Sequence, residues 1–313
     1  MFGRSQAIVQ IREFVNKVAR SKSAVLIVGE TGVGKDVVAA EIHSHSDRKG
    51  HYIPINCSAL GEGLIESELF GHERGAFTSA IDRHLGVFEQ ANNGTVFLDE
   101  VTEMKLELQA KLLRVLEDHH VTRLGGRDRI PIDVRVVAAT NRSVHDAVAQ
   151  GRLRQDLYYR LKVFQIVIPP LRERADDLED LVPHFIEEVN RDEGTEVDGI
   201  DSECLAALRV YSWPGNVREL RNVLHQTVVT KGRGRISLQN LPEEISSIRH
   251  QEDRFEVRIG ASMDEVQREL VWRTLEASAG NRTRAAEILK IPRRSLYDLL
   301  QKNGIPPRFK SRN

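Results

Sequence analysis

Cysteine is nearly missing: Cys57 and Cys204 are the only two, far apart and without histidines at metal-ligand spacing. That excludes a disulfide framework and a cysteine zinc site, and leaves both as small buried side chains. Long apolar runs are missing too. No stretch approaches the roughly 20 residues a membrane helix needs. The opening Met1-Phe2-Gly3-Arg4 lacks the apolar centre of a secretory signal. A cytoplasmic protein with no membrane partner is therefore expected. There is no internal repeat or low-complexity tract, and a 40% hydrophobic, 29% charged composition with net charge −1 over 313 residues excludes disorder. A chain of this length holds about two domains with room for a small third. The near-neutral total hides one asymmetry. Residues 282–313 carry nine basic side chains against Glu287 and Asp298. Such an end suits an acidic partner, nucleic acid first.

Short apolar runs at 24–28, 53–55, 95–98, 134–139 and 164–168 alternate with helical stretches. One of these, 106–116, sets Leu108, Leu112, Val115 and Leu116 at helix spacing. Buried strands alternating with helices predict a parallel α/β sheet covered on both faces, closed by Pro169-Pro170. From Leu171 onward the pattern predicts helices near 177–192, 202–211 and 216–229. The polar stretch 244–262 has no sustained period and reads as a linker. Helices near 263–279, 283–290 and 293–302 make a final unit. The expected division is 1–170, 171–243, 244–262 and 263–313.

Gly29-Glu30-Thr31-Gly32-Val33-Gly34-Lys35 sits between a strand and a helix, as a phosphate loop must. Its glycines permit the tight turn, backbone N–H groups face an anion, and Lys35 adds charge near the β and γ phosphates. Asp36 replaces the usual hydroxyl residue. Asp99 ends a buried strand, where it can hold Mg²⁺, and Glu100 beside it can polarise an attacking water. Asp36 and Asp99 are the candidate metal ligands, and the pair Asp99-Glu100 implies hydrolysis of ATP rather than binding alone. Thr140-Asn141 ends another strand, either as a sensor of the γ-phosphate or as a turn. The segment 151–161 supplies Arg152, Arg154 and Arg160 beside the core, either as a source of a transition-state arginine for a neighbouring subunit or as a solvated basic helix.

Between the two nucleotide motifs lies Gly75-Ala76-Phe77-Thr78-Ser79-Ala80, small residues around an exposed Phe-Thr tip. An exposed Phe is costly, so this loop is expected to touch another protein as the nucleotide state changes. At the far end, 283–289, a turn at Lys290-Ile291-Pro292 and 293–300 form a helix-turn-helix pattern. Leu296, Leu299 and Leu300 would pack its second helix. Arg284, Arg293, Arg294, Ser295 and Tyr297 are then available to DNA grooves or phosphates. The preceding helix, with Met263, Val266, Leu270 and Leu275 apolar, suits dimerisation.

Taken together, these segments resemble the AAA+ activators of sigma-54 RNA polymerase, the bacterial enhancer-binding proteins, over essentially the whole chain. The most specific marks are Glu68-Leu69-Phe70-Gly71-His72 leading into Gly75, and Trp213-Pro214-Gly215-Asn216-Val217-Arg218-Glu219-Leu220. The resemblance implies an AAA+ P-loop parallel sheet with a helical lid, followed by a small all-α helix-turn-helix domain of Fis type. It makes Lys35 and Asp36 part of Walker A, Asp99 and Glu100 Walker B, and Asn56 the switch residue for Glu100. It makes Thr140-Asn141 sensor I, Arg154 and Arg160 trans-acting fingers, and Arg218 sensor II. It implies ATP and Mg²⁺ as cofactors, a hexameric ring, a dimer reading a near-palindromic upstream site on double-stranded DNA, and sigma-54 holoenzyme as partner. Gly75 to Ala80 would meet sigma-54, chiefly through Phe77 and Thr78, with 119–129 as a supporting second loop. Ser79 departs from the commonest motif, which has Gly there; Gly permits backbone angles that Ser resists. A DNA-binding regulator of the housekeeping polymerase with nucleotide-controlled oligomerisation is the alternative, and a P-loop kinase is a more distant one. The chain starts almost at the ATPase domain, so no receiver domain is expected in it.

Overall fold

The computed structural model describes residues 2–59, 62–78, 80–247, 259–278 and 280–302. They fall into two compact units, Met1–Ser246 and Ser247–Asn313. After an opening helix, the strands of the first unit's larger part are, in chain order, β1 (Val25–Val28), β2 (Tyr52–Asn56), β3 (Thr95–Asp99), β4 (His120–Val121), β5 (Ile130–Pro131), β6 (Arg135–Thr140) and β7 (Phe164–Val167). Five of them form a sheet in the order β2-β3-β6-β1-β7, every pair parallel. The short β4 and β5 pair separately as an antiparallel ribbon.

Both faces of this sheet are buried, which is why its strands are apolar throughout rather than alternating. Period-two geometry sends Val25, Ile27, Phe97, Val137 and Ala139 into one core, and Leu26, Val96, Leu98, Val136 and Ala138 into the other. Helix Gln6–Val18, capped by the Ser5 side chain accepting from the Ile8 amide, covers the first core with Ile8, Ile11 and Val15. Helix Leu106–Asp118 covers the second with Leu108, Leu112 and Val115, as its spacing predicts. Arg135 is fully buried where β6 begins. Its guanidinium donates to the carbonyls of Val18, Ala19 and Ser23, so it ties down the end of the first helix and the turn that follows it. Burial without a carboxylate partner brings its pKa down to about 10.

After Pro169-Pro170 the chain enters a smaller layer around helices Leu178–Glu193, Ser202–Val210, Asn216–Lys231 and Glu243–Ser246. Its core centres on Trp213, whose indole N–H donates to the Leu208 carbonyl, with Leu178, Phe185, Leu220, Leu224 and Val228 around it. The last short helix places Ile245 in the same core. One feature departs from the all-helical expectation. Strands β8 (Glu196–Ile200) and β9 (Arg233–Ile236) pair in parallel beside the helices. Each carries a glycine at positive φ, Gly199 and Gly234, which interrupts the run, so Val197 and Ile200 in one and Ile236 in the other do not make the sustained branched pattern that marks a strand in sequence.

The second unit contains helices Met263–Ala277, Arg282–Ile288 and Arg293–Lys302. Ser262 and Glu265 form a capping box on the first, and Asn281 caps the second. Lys290 adopts φ 54° in the turn before the third. Val271, Leu275, Ala285, Ala286, Leu296 and Leu300 form a small core, with Leu299 against it. The expected dimer face needs one correction. Leu275 points into this core and is unavailable, whereas Met263 is 82% exposed and Leu270 is also exposed. Among the described residues no helix is long and apolar enough to cross a membrane.

Candidate functional site

A parallel sheet brings all its carboxyl ends to one edge, and ligands of such sheets bind there. Here that edge carries Asn56 from β2, Asp99-Glu100 from β3, Thr140-Asn141 from β6 and the glycine loop that follows β1. Asn56 and Asp99 are register partners, as are Val28 and Thr140. Gly32 and Gly34 take φ of 79° and 99°, angles that L side chains rarely adopt, and Lys35 opens helix Lys35–Ser44. The first amides of a helix have no intrahelical acceptor, so this terminus presents N–H donors together with the positive end of the helix dipole.

Lys35 is only 6% exposed, and its ammonium donates to the carbonyls of Gly29 (3.0 Å) and Glu30 (3.4 Å) and to Glu100 Oε1 (3.2 Å). Glu100, at φ 55°, also accepts from the Asn141 amide at 3.0 Å. The Asn141 side chain in turn donates to Thr31 Oγ1 at 3.1 Å. Lysine, glutamate and asparagine from three strand ends thus converge on the loop. Burial, then the neighbouring Glu100 carboxylate, push the Asp99 carboxyl above its ordinary range, while Lys35 pulls the other way. The donor set fits a magnesium-bound polyphosphate: a buried ammonium, a positive-φ loop with open space at Gly34, and half-buried Asp99 near exposed Asp36. Among the described residues no group of three or more His, Cys, Asp or Glu could hold a metal ion. A Mg²⁺ here would therefore take most of its oxygens from phosphate and water, its usual habit.

A cavity of about 350 Å³ adjoins the loop, lined by Gly34, Asp36, Phe185, Arg174, Arg218 and Phe2. Phe2 stacks on His184 at 3.7 Å between ring centroids, and the nearby Ser5 donates through its amide and hydroxyl to buried Asp177. The opening residues thus lie against the lid and close one wall. Arg174 is buried, donates to the Val33 carbonyl, and has an Nε with no protein partner among the described residues. Burial lowers its pKa.

The other nominated residues sit differently. The Asn56 side chain accepts from the Ser58 amide and hydroxyl rather than meeting Glu100. Thr140 is fully buried and its hydroxyl shares a hydrogen bond with Thr102. Arg154 is bound to Asp156, and Arg160 donates to the Leu116 carbonyl, so these hydrogen bonds go to groups outside the loop. Arg218 meets the loop through its backbone amide, which donates to the Gly32 carbonyl, and its side chain lines the cavity. Sequence reasoning missed Arg172, Arg174 and Asn216. The only signal was an Arg-x-Arg after Pro169-Pro170 and an Asn inside the tryptophan motif. Cys57 and Cys204 are buried, their thiols pushed up to about 12 by desolvation first.

Phe77 is 40% exposed and stands edge-on to His72 at 4.9 Å; Thr78 is exposed beside it. The Gly75 amide donates to the Ala80 carbonyl and closes the turn, while Ser79 lies outside the described residues. The stem is tied to the 119–129 segment. Glu73 N donates to Leu124 O, and buried Arg123 binds Glu73 and Glu89. A Cβ on Gly125 would meet Ala76 Cβ at 2.9 Å. In the second unit Arg284, Arg293, Arg294 and Tyr297 are exposed, Ser295 is half-buried, and Arg282 lies over the Tyr297 ring.

Three segments of the chain match known protein families. Residues 1–167 match the sigma-54 interaction domain, 172–257 the AAA+ ATPase lid domain, and 262–302 the Fis family of bacterial regulatory proteins. The nitrogen fixation protein AnfA of Azotobacter vinelandii is 42% identical across 97% of this chain and 57% of its own length. The regulatory protein AtoC of Escherichia coli K12 is 42% identical across 97% of this chain and 67% of its own length. The sigma54-dependent transcriptional activator SfnR of Pseudomonas putida is 46% identical across 80% of this chain and 68% of itself. The chain thus spans from somewhat over half to about two thirds of these relatives. The crystal structure of NtrX from Brucella abortus in complex with ADP superposes with TM-score 0.75 at 30% identity, over 97% of this chain and 70% of that one. An ATP complex of NtrX gives TM-score 0.71.

Proposed function

The chain belongs to the sigma-54-interaction family of AAA+ ATPases that end in a Fis-type helix-turn-helix, and on that premise we propose that it is a sigma-54-dependent transcriptional activator. It binds DNA upstream of a promoter and assembles into a ring, a hexamer by the family pattern. The ring hydrolyses ATP with Mg²⁺ and remodels the closed complex of sigma-54 holoenzyme. The observation that carries this reading is the coexistence, in one unit, of the Lys35–Glu100–Asn141 convergence with an exposed Phe77-Thr78 tip fastened to a buttressed stem. A site for hydrolysis alone has no need of the tip.

Bound ATP supplies the phosphoanhydride whose hydrolysis drives the work. Lys35 and the loop amides offset phosphate charge, and Asp36 and Asp99 are the residues that would hold Mg²⁺. Glu100, once released from Lys35, takes the proton of an attacking water. Asn56 receives Glu100 after giving up its bonds to Ser58, a role that its register with Asp99 on the neighbouring strand supports, and Asn141 links Glu100 to Thr31. Arg154 and Arg160, exposed and bonded to groups other than their own loop, suit the neighbouring subunit's site, while Arg218 reports from the lid. Phe77 and Thr78, within Gly75-Ala76-Phe77-Thr78-Ser79-Ala80, meet sigma-54. The second unit dimerises and reads a near-palindrome through Arg284, Arg293, Arg294, Ser295 and Tyr297. The working division is 1–170, 171–243, 244–262 and 263–313, with 244–246 at the start of the linker folded onto the lid core as its last short helix, and the protein acts in the cytoplasm.

The test is open-complex formation by sigma-54 holoenzyme on a promoter with an upstream binding site. Activation that requires hydrolysable ATP is expected. Ring assembly and turnover without activation would overturn sigma-54 as the partner and favour a regulator of another polymerase.

A further inference from the structure

The lid holds the phosphate loop residue by residue. Arg172 binds both Glu30 carboxylate oxygens, at 2.9 and 2.6 Å. Asn216 Nδ2 donates to Glu30 Oε2 and to the Thr31 carbonyl, each at 3.1 Å. The Arg218 amide donates to the Gly32 carbonyl at 3.2 Å, and Arg174 donates to the Val33 carbonyl at 2.8 Å. Within a planar trans peptide the C=O and the next N–H point to opposite sides. Drawing the Thr31 and Val33 carbonyls toward the lid therefore turns the Gly32 and Gly34 amides the other way, where an anion is received. Gly32 has to be glycine for the same reason: a Cβ there would lie 2.3 Å from the Gly215 carbonyl.

Asn216 stands at the centre of this arrangement. It is fully buried, and its Oδ1 accepts from the Leu171 amide at 2.8 Å, at the chain's entry into the lid. One neutral side chain thus joins the loop, the hinge and the start of helix Asn216–Lys231, and its donors and acceptor all have partners. Its φ of 53° is one that Asn, Asp and Gly accept far more readily than other residues.

We propose that Asn216 is the positioning residue through which the lid sets the conformation of the phosphate loop, so that nucleotide affinity depends on this lid contact and not on Lys35 and Arg218 alone. The inference rests on the nucleotide-site reading given above. It makes the lid a splint that shapes the loop, rather than only a cover over the bound nucleotide.

The test uses the whole chain with two readouts: amide hydrogen exchange without nucleotide, and equilibrium binding of a fluorescent ATP analogue. Asn216→Gly keeps the backbone angle and deletes the side chain. It should speed exchange at the Val33 and Arg218 amides, neither of which bonds to Asn216, and weaken analogue binding about tenfold. Asn216→Asp sets a second carboxylate against Glu30 and should weaken binding further. Adding Glu30→Gln to it restores a donor facing an acceptor and should recover about threefold or more. Unchanged exchange and affinity in Asn216→Gly would overturn the proposal, as would a double variant no better than Asn216→Asp, since a purely structural role predicts no recovery. If the wild type bound no nucleotide, the functional reading would fall, and the exchange comparison would still decide whether Asn216 holds the loop.

Discussion

The phosphate loop and the Phe77 loop are both short turns bearing glycine at positive φ, yet their surroundings differ. Residues 30–33 are each held by a lid group, and Gly32 has no room for a methyl. The Phe77 loop is fastened at its stem, through Arg123, Glu73 and the 119–129 segment, while Gly75 faces open space and the tip is exposed. A ligand that is small and highly charged rewards a loop already in its binding shape, because ordering it on binding would cost affinity. A contact that must move with the nucleotide state is better anchored at its base and free at its tip. The two loops therefore divide rigidity and reach between them.

The largest expected effect tests the rigid side. Glu100→Gln should leave nucleotide binding within about twofold and lower turnover about 10²- to 10⁴-fold, the range for loss of a general base. Unchanged hydrolysis rates in a coupled phosphate-release assay would remove Glu100 from that role. The two glycines give the sharpest contrast. Gly32→Ala must displace the Gly215 carbonyl and should cost about 2–4 kcal/mol of stability by denaturant titration. Gly75→Ala meets only the backbone penalty of a positive φ, about 1–2 kcal/mol at most. Equal costs would mean that the lid does not constrain the loop.

Thr78→Ala tests the mobile side. Hydrolysis should stay within about twofold while open-complex formation falls about tenfold or more, the usual cost of truncating a central contact residue. Full activation by that variant would reassign the tip. The smallest effect concerns pH. Arg172 first, then Asn216, hydrogen-bond the ionised Glu30 carboxyl and hold it at about 2 against an ordinary 4.5. A lowered folded-state pKa gives stability that is complete above the unfolded value and lost as pH falls through the folded one. The difference between wild type and Glu30→Gln should therefore shrink from about pH 4.5 to about pH 2. Because this pair is part-exposed, the whole effect should stay within about 1 kcal/mol. A difference independent of pH would mean that the Glu30 charge contributes nothing.

Much of the site was legible because its signals are local. The strand–glycine–helix passage around Lys35 and the acidic pair ending an apolar run state their chemistry within a few residues. So did the helix-turn-helix, whose third helix runs over the expected Arg293–Lys302. The unread parts depend on distant partners. Asn216 lies 186 residues beyond Glu30, and nothing near either residue announces the bond. The resemblance pairs Asn56 with Glu100, but its side chain finds the nearby Ser58 first, a local bond that competes with the longer reach. Leu275 fitted an apolar stripe, and only the packing of three short helices decided that it faces inward.

The sequence by itself determined the periodicities, the caps and the glycines, and with them the sheet, its loop and the order of the domains. Which lid groups grip which loop carbonyls, and that Lys35 rests on Glu100, were decided by the tertiary structure alone. The reason is physical: periodicity is written along the chain, whereas a hydrogen bond between residues far apart exists only once packing has fixed the distance and direction between donor and acceptor.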